Sequence, residues 1–101
     1  MSGEFQKIKE KIILQKDYLL QTYGVEKIGI FGSFARGEDT PLSDVDVLFD
    51  INEKQESFSL FDLADVQNYL ENILGKSVDV VDRSNIRPIL RDRILKETIM
   101  I

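Results

Sequence analysis

Cysteine, histidine and tryptophan are absent from this 101-residue chain. Without cysteine there is no disulfide, no thiolate nucleophile and no thiolate zinc site, and without histidine the commonest general base is missing too. Any chemistry must run on carboxylates, hydroxyls, lysine or arginine. No apolar run approaches the roughly 18 residues of a membrane span, so no membrane association is expected. The stretch Met1-Ser2-Gly3-Glu4-Phe5-Gln6-Lys7 lacks the apolar region and small-residue cleavage site of a secretory signal, and a cytoplasmic location is the expectation. Positive charge is in deficit: 13 basic against 18 acidic residues give a net charge of −5. A field of that sign repels phosphate backbones, so no direct nucleic-acid binding is expected. It suits divalent cations or a basic protein partner, although many cytosolic proteins are equally acidic.

What is present is a mixed helix and strand pattern. With 43% hydrophobic and 31% charged residues, no internal repeat and no linker composition, residues 1–101 read as a single domain with no room for a second, substrate-binding one. Phe5, Ile8, Ile12, Leu19 and Tyr23 recur at helical spacing before Gly24, which predicts a helix over 3–23. Lys27-Ile28-Gly29-Ile30-Phe31 is a short β-favouring run that breaks into a turn at Gly32-Ser33. Between residues 34 and 42 at most one helical turn fits. A second strand begins near Asp44, with Val45, Val47 and Phe49 alternating against Asp44, Asp46 and Leu48. Residues 50–57 read as a surface loop. Ser59 and Asp62 resemble a capping box opening a helix whose apolar positions are Leu60, Leu63, Ala64, Leu70 and Leu74, ended by Gly75.

Residues 77–82 are a third strand, 83–85 a turn, and Pro88, Ile89, Leu90, Ile94 and Leu95 mark a last helix before an apolar tail, Ile99-Met100-Ile101. The crossover between strands two and three is long enough to make them parallel, whereas the tight Gly-rich link from strand one favours an antiparallel pair. The expected fold is α/β (α+β): a small mixed sheet of at least three strands with helices packed on it. The end of strand one then lies beside the start of strand two.

Asp44 and Asp46 share a strand face with Cα atoms roughly 6–7 Å apart. Carboxylates so placed repel each other unless cations neutralise them, and hard oxygen ligands suit Mg²⁺ bound together with substrate phosphates. An isolated D-x-D is as readily the solvated face of a half-buried strand. Its weight comes from its company: Gly32-Ser33 straight after a strand, then Arg36-Gly37, then Ser43-Asp44-Val45-Asp46 opening the next. Gly32 lets the backbone turn so that amide N–H groups and the Ser33 hydroxyl can hold phosphate oxygens, or it is a plain turn. Neither a Walker loop nor the dinucleotide fingerprint is present. Ser43 has no base to activate it and reads as a loop-tying residue.

Gly32-Ser33-Phe34-Ala35-Arg36-Gly37, five residues, then Ser43-Asp44-Val45-Asp46-Val47-Leu48 resembles the signature of the DNA polymerase β-like nucleotidyltransferase superfamily. The chain looks most like the minimal nucleotidyltransferases of prokaryotes over nearly its whole length, departing only at Phe49, where a valine is more usual. The resemblance implies the polymerase β palm-like fold. It also implies two Mg²⁺ ions held by Asp44, Asp46 and a third carboxylate on a neighbouring strand. Asp79 fits that role, because Val78 and Val80 would face the core while Asp79 projects with the other two. Asp82 is the competitor but has the opposite strand parity. Asp44, Asp46 and Asp79 are thus the expected catalytic and metal residues. Gly32 and Ser33 are expected to hold the β- and γ-phosphates of a nucleoside triphosphate, with Arg36 adding positive charge there or else forming an ion pair with Glu38, Asp39 or Asp44.

Such proteins commonly act as antitoxins of HEPN-domain RNase toxins. The function implied is transfer of a nucleoside monophosphate, AMP from ATP, onto a tyrosine hydroxyl of the toxin; the alternative is an antitoxin that neutralises by binding alone. An antibiotic-modifying transferase ranks lower, since such enzymes carry added structure for their small substrates.

Overall fold

The structure, a computed structural model, describes residues 3–52 and 57–101. In chain order it comprises α1 (Gly3–Tyr23), β1 (Val25–Phe31), α2 (Gly32–Arg36), β2 (Val45–Ile51), α3 (Leu60–Leu74), β3 (Val78–Asp82), a 3-10 turn (Arg83–Asn85), α4 (Pro88–Glu97) and β4 (Ile99–Met100). The strands form one mixed sheet in the order β3-β2-β1-β4. As the connections predict, β1 and β2 are antiparallel while β2 and β3, joined through α3, are parallel. The expected loop over 50–57 is partly corrected: Asp50 and Ile51 belong to β2, and 53–56 lie outside the described residues.

One face of the sheet carries the core. Phe5, Ile8, Ile12 and Leu19 of α1 and Val66, Leu70 and Leu74 of α3 pack on Ile28, Ile30, Val45, Val47, Phe49 and Val78. The α3 stripe differs from the expected one, because Leu60 is 82% exposed and Ala64 is exposed as well. At about 100° per residue, Leu60 and Ala64 sit roughly 80° and 120° around the helix from Leu70, whereas Leu63, Val66 and Leu74 lie within about 40°. The capping box holds: Ser59 N–H donates to Asp62 at 2.8 Å and Asp62 N–H donates back to the Ser59 hydroxyl at 3.3 Å.

The opposite face carries Asp46, Leu48 and Asp50, which alternate with the core residues of β2. Here α4 leans over the sheet without burying any of its residues fully. The apolar tail is a fourth strand: Ile99 pairs with Ile30, Met100 with Gly29, and Ile101 N–H donates to the Ile28 carbonyl at 2.9 Å. A two-residue strand is too short to show a period of two, which is why the pattern did not reveal it.

Gly29 makes this closure possible. A Cβ there would stand 2.9 Å from Met100 Sδ and closer still to the Thr98 methyl group. Strand propensity alone favours valine over glycine. The packing argues the other way, so Gly29→Val should lower stability by about 1–3 kcal/mol, as urea denaturation would register.

Candidate active site

Asp46 and Asp79 stand opposite each other in the β2/β3 ladder, and residues paired in adjacent strands project from the same face. Asp44 is exposed just before β2 begins. Phe31, the last residue of β1, is the partner of Asp46 on the other side, so the chain enters Gly32 directly beside that carboxylate. Contact there is intimate: a Cβ on Gly32 would overlap Asp46 Oδ2, and the backbone is at φ 75°. Only glycine meets both demands without strain. Ser33 and Arg36 follow on the short helix α2. Gly32, Ser33, Asp46 and Asp79 are thus brought to one end of the sheet.

Burial, then the Asp79 and Asp44 charges, push the Asp46 carboxyl up to about 6; Arg36 opposes the shift and Glu97 adds to it. A carboxylate that resists ionisation among acidic neighbours is the donor chemistry that a hard divalent cation relieves. Among the described residues, however, no group of three or more acidic side chains is drawn together closely enough to hold an ion as it stands. The two facts are compatible for magnesium, which keeps several waters and binds through one or two carboxylates plus substrate phosphates rather than in a closed protein cage. Asp44, Asp46 and Asp79 therefore fit magnesium by donor type and charge.

Arg36 is paired in the structure. Its Nε donates to Glu38 at 2.8 Å and its Nη1 to Glu97 Oε2 at 3.0 Å. The Glu38 pair was foreseeable from sequence proximity; the Glu97 pair joins residues 61 positions apart and no sequence signal points to it. Ser43 ties the loop as expected, its hydroxyl accepting from Thr40 N–H at 2.8 Å. Asp82 has a structural task that separates it from Asp79: it caps the 3-10 turn, accepting from the Ser84 N–H and hydroxyl, each at 3.0 Å. Further along the same sheet face lies a hollow of about 320 Å³ with Leu48, Leu95, Thr98, Met100, Lys27 and Arg83 in its lining.

This geometry agrees with what the chain is similar to. The family model described as nucleotidyltransferase domain matches residues 11–101. The protein adenylyltransferase MntA of Thermococcus cleftensis is 34% identical over 96 residues, which span 95% of this chain and 94% of that one. A candidate protein adenylyltransferase of Methanocaldococcus jannaschii, MJ0435, is 44% identical over 92 residues, 91% of each chain. A solved structure of a candidate minimal nucleotidyltransferase superposes with a TM-score of 0.73 at 33% identity, covering 98% of this chain and 95% of that one. The same fold recurs at 18% identity and a TM-score of 0.68 in the complex of a tri-AMPylated HEPN toxin from Shewanella oneidensis with an MNT antitoxin, over 95% of this chain and 70% of that one. The chain belongs to the nucleotidyltransferase family.

The raised Asp46 value has a consequence with a definite sign. Between its ordinary 3.8 and about 6, the folded chain holds a proton that the unfolded chain has released, so stability falls as pH rises through that window. Asp46→Asn removes the effect. In EDTA, the variant should gain about 1 kcal/mol relative to wild type between pH 4 and pH 7, allowing for solvent screening of a half-buried group. Denaturation series at the two pH values measure it.

Proposed function

We propose that this chain transfers AMP from ATP to a tyrosine hydroxyl of a HEPN-domain toxin in a Mg²⁺-dependent reaction, and thereby acts as that toxin's antitoxin. The observation that carries the reading is the in-register placement of Asp46 beside Asp79, with Gly32 in contact with Asp46. This is a pair of carboxylates next to a helix start whose Gly32 N–H already binds a carboxylate oxygen. The protein acceptor is supported by relatives named protein adenylyltransferases over nearly the whole chain. The partner class follows the complexes among structural neighbours, and ATP follows a toxin–antitoxin neighbour solved with AMP-PNP. A net charge of −5 favours a basic, RNA-binding partner through long-range attraction.

On this reading the Gly32 amide, the Ser33 hydroxyl and Arg36 receive the β- and γ-phosphates and orient the triphosphate. Asp44, Asp46 and Asp79 would hold magnesium, which would supply charge stabilisation at the attacking and leaving oxygens. The tyrosine oxygen forms a bond to the α-phosphorus as the bond from that phosphorus to the bridging oxygen breaks, and pyrophosphate leaves with the electron pair. Asp79, exposed on an edge strand, is open to the acceptor and can take the hydroxyl proton, directly or through water.

Incubation with the cognate toxin, ATP and Mg²⁺ should add AMP-sized mass to the toxin. Asp79→Asn should abolish the addition and leave the complex able to form, as intact mass spectrometry and size exclusion would show. A toxin that is inhibited yet unmodified would mean that binding alone neutralises it. Separately, Asp44→Asn with Asp46→Asn should keep the fold and weaken Mg²⁺-ATP binding at least 10-fold in calorimetry, the order expected when charge-assisted contacts of about 1.5–3 kcal/mol are removed.

A further inference from the structure

Glu97, the last residue of α4, reaches across to α2 and accepts from two of the three groups that the proposed reading gives to the phosphates. Its Oε2 accepts from the Gly32 N–H at 2.5 Å and from Arg36 Nη1 at 3.0 Å, and its Oε1 from the same Nη1 at 3.3 Å. The side chain is only 15% exposed. Arg93, one turn earlier on α4, stands 3.8 Å away. The carboxylate is held in place from behind: β4 begins two residues later and pairs with β1, and Gly29 leaves room for Thr98 and Met100 to pack down. Its location is electrostatically costly, since its charge acts on Asp46 in the same direction as those of Asp79 and Asp44. Attraction to the acidic cluster cannot explain a carboxylate there. The explanation is the pair of donors, an amide and a guanidinium aimed at one oxygen.

We propose that Glu97 is a built-in competitor for the polyphosphate. In the ligand-free chain its carboxylate occupies the Gly32 amide and the Arg36 guanidinium, and a triphosphate binds there only when that carboxylate withdraws. The inference rests on the nucleotidyltransferase reading of the site and adds to it an intramolecular rival. A single N–H cannot serve two anions at full strength, and two anions on adjacent donors repel each other. Tethered by its own helix, the carboxylate competes at an effective concentration that no free anion matches cheaply. Ligands bringing several phosphate charges can displace it; a monophosphate, whose phosphate would lie nearer the aspartates, gains nothing from its removal. Glu97 therefore raises the threshold for all polyphosphates and narrows their advantage over AMP. Withdrawal also breaks the polar link between α2 and α4, so occupancy of the nucleotide site is coupled to the hold on α4, and the coupling is reciprocal.

Calorimetry on the full chain, wild type against Glu97→Gln and Glu97→Ala, with Mg²⁺-ATP, inorganic tripolyphosphate and AMP, decides the matter. If the carboxylate holds its donors about nine-tenths of the time, removing its charge should tighten ATP and tripolyphosphate about 10-fold and leave AMP unchanged. A purely structural clamp would shift thermal stability without this selectivity, so melting curves are recorded alongside. ATP affinity that is unchanged or weaker in both variants, with wild-type binding intact, overturns the proposal while the transferase reading stands. The same holds if AMP tightens equally. No ATP binding by wild type or either variant overturns both. Should Glu97→Ala fail to fold, the near-isosteric Glu97→Gln alone decides.

Discussion

The structure depends on a register. Because β2 and β3 pair with Asp46 opposite Asp79 and β1 ends opposite Asp46, two carboxylates and a glycine turn share the same few ångströms at one end of the sheet. A one-residue slip of β2 would send Asp46 into the core and that strand's valines into solvent, and a slip of β3 would do the same to Asp79. Register is secured by the other face, where Val45, Val47, Phe49 and Val78 are buried against α1 and α3. The hydrophobic face thus positions the polar one. That division of labour lets a small sheet tolerate mutual repulsion among acids, since the apolar contacts that fix the strands lie on the other side, and among the described residues no charged one is fully buried.

The two ends of the molecule are tied together by glycines doing different tasks. At Gly32 the absent Cβ is the space that Asp46 occupies. A side chain there would disturb the metal-type carboxylate before it touched any phosphate, so larger substitutions report on the acid as much as on the ligand. At Gly29, three residues earlier, the absent side chain is filled by Thr98 and Met100. That second absence lets α4 and β4 close on the polar face and delivers Glu97 to α2. Strand β1 at Gly29 and the start of α2 at Gly32 therefore serve the site without contributing a functional side chain.

Much of this was legible from residues alone, for identifiable reasons. Helix α1 runs over the expected 3–23 because its apolar period is regular and Gly24 stops it. The α3 start was legible because Ser59 and Asp62 form their reciprocal cap. The strand directions followed from connection lengths. What escaped depends on tertiary closeness: β4 is two residues long, and Glu97 meets Gly32 across 65 positions, with neither motif nor period to announce it. Leu60 and Ala64 misled for another reason. Being apolar and near the stripe, they match a loose helical count, yet they face away from the sheet. For the candidate site residues, the spacing around Gly32, Asp44 and Asp46 carries weight because it joins two local motifs, while Asp79 differs from Asp82 by strand parity.

Charge in the site imposes an order on events. The charges of Asp44, Asp79 and Glu97 all act on Asp46, and the Arg36 guanidinium that opposes them is already shared between Glu38 and Glu97. A bare triphosphate approaching this surface meets net repulsion, and a bare cation meets carboxylates that are not gathered around a single point. Neither alone is well received. On the proposed reading, the aspartates would hold a cation that arrives with the nucleotide, and the phosphates would supply the oxygens that the carboxylates leave open to it. The phosphates also exchange places with Glu97 on Gly32 and Arg36. On the proposed reading, metal and nucleotide are therefore bound as one unit, and the empty site is protected from metal-free nucleotide by the same acids that the chemistry requires.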